Sequence, residues 1–167
     1  SFMDGVAVTA SYAPKGAKAD SSTAWSVAYT GIDGLSLTYA SGEDNQTAGS
    51  EADHEVMKAT YAYGPITVGY MESDYNDAVA SGDQNTTAYN VAYTISDELS
   101  VSYGSEELEF GVQSATNVAA EFERLSVTYV TGGMTLTASQ ASGDNVSYST
   151  ATTEDREVWA LGASFAF

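Results

Sequence analysis

The feature of this sequence that most constrains its fold is an alternation of apolar and small polar residues with a period of two. Residues 35–39 read LSLTY, and residues 99–103 read LSVSY. Successive side chains of a β-strand point to opposite faces, so this period indicates strands, whereas the helical period of about 3.6 residues is nearly absent. The pattern predicts ten strands, at 6–12, 23–30, 35–40, 56–63, 66–71, 88–95, 99–104, 124–130, 134–139 and 158–167.

The connections between the predicted strands alternate between short and long. The short ones are rich in residues that accept turn dihedrals, at 31–34, 64–65, 96–98 and 131–133. The long ones are rich in Gly, Ser, Asn and acidic residues, at 13–22, 41–55, 72–87, 105–123 and 140–157. An antiparallel sheet with this alternation has all its tight turns at one end and all its long loops at the other.

The composition excludes several classes of protein. The chain has 5 Lys and Arg against 23 Asp and Glu, a net charge of −18, so a nucleic-acid partner is not expected. It has no cysteine, which rules out disulfides, thiol catalysis and Cys-type zinc sites. It also has no apolar run near the roughly 18 residues that a membrane-spanning helix needs. We expect no cofactor.

Three features predict that the apolar row faces lipid rather than a core. The polar row is mostly Ser, Thr, Ala and Gly, with few charges, and the tight turns and long loops match the two ends of outer-membrane barrels. Aromatic residues lie on the apolar row, often toward strand ends, as in the girdles of such barrels: Tyr12, Trp25, Tyr29, Tyr63, Tyr93, Trp159, Phe165 and Phe167. The alternative is a soluble sandwich or lipocalin-like barrel with Leu and Tyr pointing inward.

The last predicted strand carries a more specific signal. Residues 158–167 read VWALGASFAF, an amphipathic strand that ends on Phe167, and residues 132–136 read GGMTL. With the Tyr-rich hairpins, these segments resemble the C-terminal part of an alphaproteobacterial general porin. The resemblance implies an all-β transmembrane antiparallel β-barrel with sixteen strands, of which residues 1–167 are the C-terminal ten. It also implies an outer-membrane homotrimer in contact with lipid and lipopolysaccharide.

The function expected from the lipid-facing apolar row and the porin resemblance is a passive, water-filled channel through which small hydrophilic solutes and ions diffuse. A second hypothesis is a narrow outer-membrane barrel that acts as a structural anchor or adhesin through acidic extracellular loops. We do not expect an enzyme, because His54 is the single histidine and no nucleophile is paired with it by spacing.

The predicted pore lining follows from the polar row. Among the basic residues, Lys58, Arg124 and Arg156 have the parity of this row. Porins of the class that the chain resembles place basic residues on the wall opposite an acidic pore loop. The alternative is that each cation pairs with a neighbouring carboxylate, such as Glu55 or Glu157. The polar row also supplies the uncharged candidate lining residues Thr60, Asn90 and Thr128.

Acidic residues concentrate in the predicted loops, which indicates a negative mouth and a preference for cations. The alternative is that they serve only to keep the loops soluble. They are Glu43, Asp44, Glu51, Asp53, Glu72, Asp74, Asp77, Asp83, Glu106, Glu107, Glu109, Glu121, Glu154 and Asp155.

Overall fold

The computed structural model describes residues 4–15, 21–46, 50–77, 82–112, 114, 117–148 and 155–166. Within these ranges the chain is all-β and contains no α-helix. Its ten strands are β1 (Val6–Ala13), β2 (Ser22–Tyr29), β3 (Leu35–Gln46), β4 (Ser50–Tyr63), β5 (Ile66–Asn76), β6 (Gln84–Thr94), β7 (Leu99–Phe110), β8 (Ala120–Thr131), β9 (Met134–Asp144) and β10 (Arg156–Phe165). The predicted number of strands is confirmed.

All ten strands form one antiparallel sheet, in which each strand pairs with its neighbour along the chain. The order β1 to β10 runs across the sheet without a crossover, and β1 and β10 form its two edges. The sheet is not closed in the described residues, because no pairing joins β1 to β10. Phe167, at the end of the predicted last strand, lies outside these residues.

Tight turns connect the strands at one end of the sheet, which we call the turn end. Gly132 and Gly133 join β8 to β9 with φ angles of 52° and 81°. Two consecutive left-handed residues define the type I′ turn, whose twist matches that of a hairpin, and glycine adopts it without a Cβ clash. The other tight turns lie at 30–34, 64–65 and 95–98, as the sequence predicts.

At the opposite end, the loop end, the prediction of long loops is wrong for most residues. The predicted loop 41–55 belongs to β3 and β4 except for residues 47–49, and β7 continues from 105 to Phe110. We call these added parts the strand extensions: 41–46, 50–55, 72–76, 84–87, 105–110, 120–123 and 140–144. Acidic residues are weak strand formers in isolation, but here each extension pairs with another and continues an existing ladder.

The sheet has no hydrophobic core. Among the described residues only Ala52, Ala120, Ser139 and Gly143 are buried, and no large side chain is fully buried. The chain exposes 11187 Å², whereas a compact monomer of this mass would expose about 7,900 Å². The protein is therefore a single layer in which both faces of the sheet are open.

The strand register sorts the side chains onto two faces. Paired residues share a face, so the partners Val8, Val27 and Tyr39 all lie on one side, while Thr9 and Ser26 lie on the other. Hollows open on the second side, among them three that are lined mainly by its own residues. These hollows indicate that the sheet curves toward this side. We call it the concave face, and the other the convex face.

The apolar row changes face along the strands. On β7 the convex face carries Leu99, Val101 and Tyr103, and farther along the same strand it carries Glu107 and Glu109. On β7 and β8 the concave face does the reverse, with small polar residues in the middle of the sheet and mainly apolar residues in the extensions. The concave extensions of β5 and β6 carry Ser73, Tyr75, Gln84 and Thr86 instead. The concave apolar residues of β4, β7 and β8 beyond the change are Ala52, Val56, Leu108, Phe110, Ala120 and Phe122.

Candidate functional site

Five of the six predicted lining residues lie in two adjacent rows of paired residues across the concave face. Lys58 and Arg156 belong to one row, in which the intervening positions are Met71, Ala88, Glu106, Phe122 and Gly143. The next row toward the turn end contains Thr60, Asn90 and Arg124. Thr128 lies on the same face, four residues along β8 from Arg124. The structure thus brings all six to one surface.

Hydroxyl groups hold Arg124 against the sheet. Its Nε donates to Ser126 Oγ at 3.2 Å, and its Nη2 donates to Ser139 Oγ at 3.4 Å. Ser126 and Ser139 are partners across β8 and β9, so the guanidinium lies over this pair and points toward the turn end. Ser139 is only 8% exposed beneath it. A cation held by two hydroxyls has a defined position on the wall.

The register does not bring Lys58 or Arg124 together with Glu55 or Glu157, because both carboxylates lie on the convex face. Arg156 donates from Nη1 to the backbone oxygen of Asp155 at 3.3 Å. Within the described ranges no salt bridge involves Lys58 or Arg124. Their charges are therefore displayed on the concave face.

Small residues keep the middle of the concave face open. Asn90 lies directly over Gly69, where a Cβ atom would clash with Asn90 Oδ1, so a larger residue would displace the amide. A hollow of about 610 Å³ lies beside the β1 edge. Its concave walls are mainly small residues, among them Thr9, Ser11, Ala24, Ser26 and Gly42, together with Asp44, His54 and Val56. Such a surface leaves space for water and offers it hydroxyl partners.

The acidic residues predicted in loops lie at the loop end, and those in the strand extensions divide between the two faces. Glu43, Asp53, Glu72, Glu107 and Glu121 lie on the convex face of the strand extensions, whereas Asp44 and Glu106 lie on the concave face. Asp77, Asp83 and Asp155 lie outside the strands, and Glu154 lies outside the described residues. Sequence reasoning missed Glu106 as a wall residue. Extending the parity of Ser100 and Ser102 by two more steps would have found it.

Aromatic side chains on the convex face donate to carboxylates where the apolar row ends. Tyr70 Oη donates to Glu72 Oε2 at 2.7 Å, and Tyr103 Oη donates to Glu123 Oε1 at 2.7 Å. Trp159 Nε1 donates to Glu157 Oε1 at 3.0 Å. The ring of each pair covers the apolar side of the boundary, and the carboxylate stands on the acidic side. We call these three pairs the boundary pairs.

His54 lies on the concave face of β4, with its ring 4.5 Å from the ring of Tyr75. It lines hollows together with Val56 and Ser73, on a strand rather than in the predicted loop. No group of three or more His, Asp or Glu residues in the described part of the chain could hold a metal ion. No helix there is long and apolar enough to cross a membrane.

Comparison with known proteins adds no assignment. No protein family matches the chain, and no curated protein matches it. The functional proposal therefore depends on the two faces of the sheet and on the point where the apolar row moves from one face to the other.

Proposed function

We propose that this chain forms part of the wall of an outer-membrane porin, a passive water-filled channel for small hydrophilic solutes and ions. In this proposal the convex face contacts the acyl chains, and the concave face lines the water-filled lumen. The sheet closes into a barrel together with the further strands that the porin resemblance implies. Solutes cross by passive diffusion without a chemical step, so the residues of the channel wall act through their size, charge and hydrogen bonding.

The proposal depends on two observations: the convex face is exposed, and the apolar row moves from the convex to the concave face along the strands. Large apolar side chains stand on this face without a covering layer: Leu161 is 84% exposed, Trp159 72% and Val8 68%. In a soluble sheet the apolar row would stay on the side of one core along the whole strand. Here it leaves the convex face at the boundary pairs, as a surface does that passes from hydrocarbon to water.

The boundary pairs fit the headgroup level of this proposal. Rings of Tyr and Trp are amphipathic, and they concentrate where hydrocarbon meets water. In the pairs of Tyr70 with Glu72 and Tyr103 with Glu123, the polar atoms of the ring point to a carboxylate that needs water. Lipid and lipopolysaccharide headgroups would surround this level. The strand extensions, with convex acids, would then stand outside the membrane.

Charges on the concave face support a channel with weak ion selectivity. Lys58, Arg124 and Arg156 supply positive charge on the wall, while Asp44 and Glu106 supply negative charge. The chain as a whole carries −18, which raises the local concentration of cations. We therefore propose a preference for cations that the wall cations reduce. A homotrimer, implied by the porin resemblance, belongs to the proposal and is tested by chemical cross-linking in detergent.

The test is conductance in planar lipid bilayers of the protein purified in detergent, with urea-unfolded protein as the control. We expect large, weakly selective current steps from the folded protein and none from the control. Liposome swelling with sugars of increasing size then measures the width of the pore. A folded protein that inserts into vesicles and passes neither ions nor sugars would overturn the channel and favour the anchor or adhesin hypothesis.

A further inference from the structure

Two opposite charges stand close together on the concave face without pairing. Glu106 of β7 lies diagonally across from Arg124 of β8, since Arg124 is the partner of Gly104. Residues in this diagonal relation lie about 7–8 Å apart, and their Cβ atoms are somewhat closer, within reach of a salt bridge for long side chains. Within the described residues no salt bridge or hydrogen bond joins them, and Glu106 has no other polar partner.

The serine pair explains why the charges stay apart. Ser126 and Ser139 lie on the side of Arg124 that faces the turn end, away from Glu106, and they draw the guanidinium in that direction. These two bonds use two of the five N–H donors of the guanidinium, which leaves three for a ligand. The site therefore has a positioned cation at one end and an unpaired carboxylate at the other.

A hollow of about 400 Å³ is lined by both Glu106 and Arg124. This volume falls in the range of about 300–1,000 Å³ typical of small-molecule sites. Its walls between the charges are apolar, formed by Ala88, Phe122 and Ala141, and Gly104 lies at its floor. A Cβ at Gly104 would meet only the backbone oxygen of Tyr89, at 3.6 Å, so packing does not require glycine there. The missing side chain leaves the floor open.

We propose that this hollow is a binding site for a zwitterionic α-amino acid with an apolar side chain. The carboxylate of the solute accepts hydrogen bonds from Arg124, its ammonium group donates to Glu106, and its side chain packs on Phe122. Each charged contact alone is weak in an open aqueous site, and the two together select a solute that carries both charges. The inference rests on the proposed channel, because solutes reach the concave face through water.

The first experiment measures binding to the detergent-solubilised protein by saturation-transfer NMR, with empty micelles as the control. Phenylalanine is compared with phenethylamine, which lacks the carboxylate, and with 3-phenylpropionate, which lacks the ammonium group. We expect saturable binding of phenylalanine, and affinities at least about tenfold weaker for the other two, since each lacks one charge-assisted contact. Equal affinity for all three would overturn the proposal.

Matched variants test the residues. Glu106→Gln and Arg124→Gln should each weaken phenylalanine binding about tenfold, whereas Glu107→Gln, on the opposite face of the same strand, should leave it unchanged. Gly104→Val fills the floor and should also weaken binding, while both charges remain. If Arg124→Gln does not fold, binding to the Glu106→Gln and Gly104→Val variants still tests the site. Unchanged binding in these two variants would refute the site.

Flux separates this inference from the proposed function. In liposomes containing the channel we expect phenylalanine uptake to saturate with concentration, while uptake of an uncharged sugar stays linear. Sugar uptake together with linear, non-saturating phenylalanine uptake would refute the binding site and leave the channel intact. Saturable binding in detergent without any conductance would refute the channel and leave the site.

Discussion

The middle of the sheet and its strand extensions present different side chains on the two faces of the same strands, β3 to β9. In the middle, the convex face is apolar and the concave face carries small polar residues. In the extensions of β7 and β8, the convex face carries acidic residues, and the concave face carries Leu108, Phe110, Ala120 and Phe122 beside Glu106. The concave apolar residues of the extensions are also covered in part: Phe122 packs on Gly143, and the ring of Phe110 lies 5.6 Å from that of Tyr148. The comparison teaches that one continuous ladder of backbone hydrogen bonds can carry its apolar side chains on opposite faces in two regions.

The largest effect expected from this comparison concerns a charge on the convex face. Val101→Arg places a cation in the middle of the apolar face, where lipid contact would cost about 2–4 kcal/mol of folding free energy. Ser102→Arg, on the concave face of the same strand, should cost little, and so should Glu107→Arg beyond the change of row. Urea titration of folding in lipid vesicles measures all three. Equal costs would break the distinction between the two regions.

A smaller effect is expected from the apolar residues of the extensions. Phe122→Ala removes a half-buried ring that packs on Gly143, and it should cost about 1–2 kcal/mol, less than for a fully buried ring. The loss should be local, so amide hydrogen exchange should accelerate in 120–123 and 140–144 and stay unchanged at the turn end. Faster exchange throughout the sheet would show instead that the extensions and the middle unfold as one unit.

The boundary pairs give the next prediction. Tyr103→Phe removes the hydroxyl that donates to Glu123 and should cost about 1 kcal/mol in the same vesicle assay. Tyr93→Phe is the control, because this tyrosine lies at the turn end of the same face, and no hydrogen bond of its hydroxyl is seen among the described residues. We expect the control to change stability by much less. Similar losses of folding free energy in both variants would mean that the hydrogen bond to Glu123 adds nothing to stability.

The smallest effect expected is on ion selectivity. Replacing Lys58 with Ala removes one positive charge from the concave face and should raise the cation-to-anion permeability ratio about twofold, or about 0.4 kcal/mol. Reversal potentials in a salt gradient measure the ratio. Lys58→Arg keeps the charge and should leave the ratio near its original value. If Lys58→Ala has no effect, the charge at this position does not act on permeating ions.

The middle of the sheet could be predicted from the sequence because strand geometry fixes a period of two. Ten strands, their antiparallel order and the positions of the tight turns follow from alternation and from Gly-rich turn residues such as Gly132 and Gly133. The side of the sheet on which Lys58 and Arg124 lie could be predicted from their positions in the alternating pattern of each strand alone. These features depend on residues close together in the chain.

The extensions could not be predicted in the same way, since their stability comes from pairing rather than from propensity. Acidic residues such as Glu107 and Glu109 read as loop when considered alone, and the change of row hides the alternation that continues through them. Glu106 was misplaced for this reason. The serine contacts of Arg124 depend on the register of β8 against β9, which sets Ser126 opposite Ser139 and which no single strand reveals.

The neighbour-only order of the strands has a consequence for how such a sheet is made. Because β1 to β10 each pair with the next strand in the chain, every hairpin closes a short stretch of polypeptide, and the entropy lost per pairing is small. The sheet can grow one hairpin at a time, from any starting hairpin. Duplication or deletion of one hairpin in evolution would change the width of the sheet and leave every remaining pairing in place.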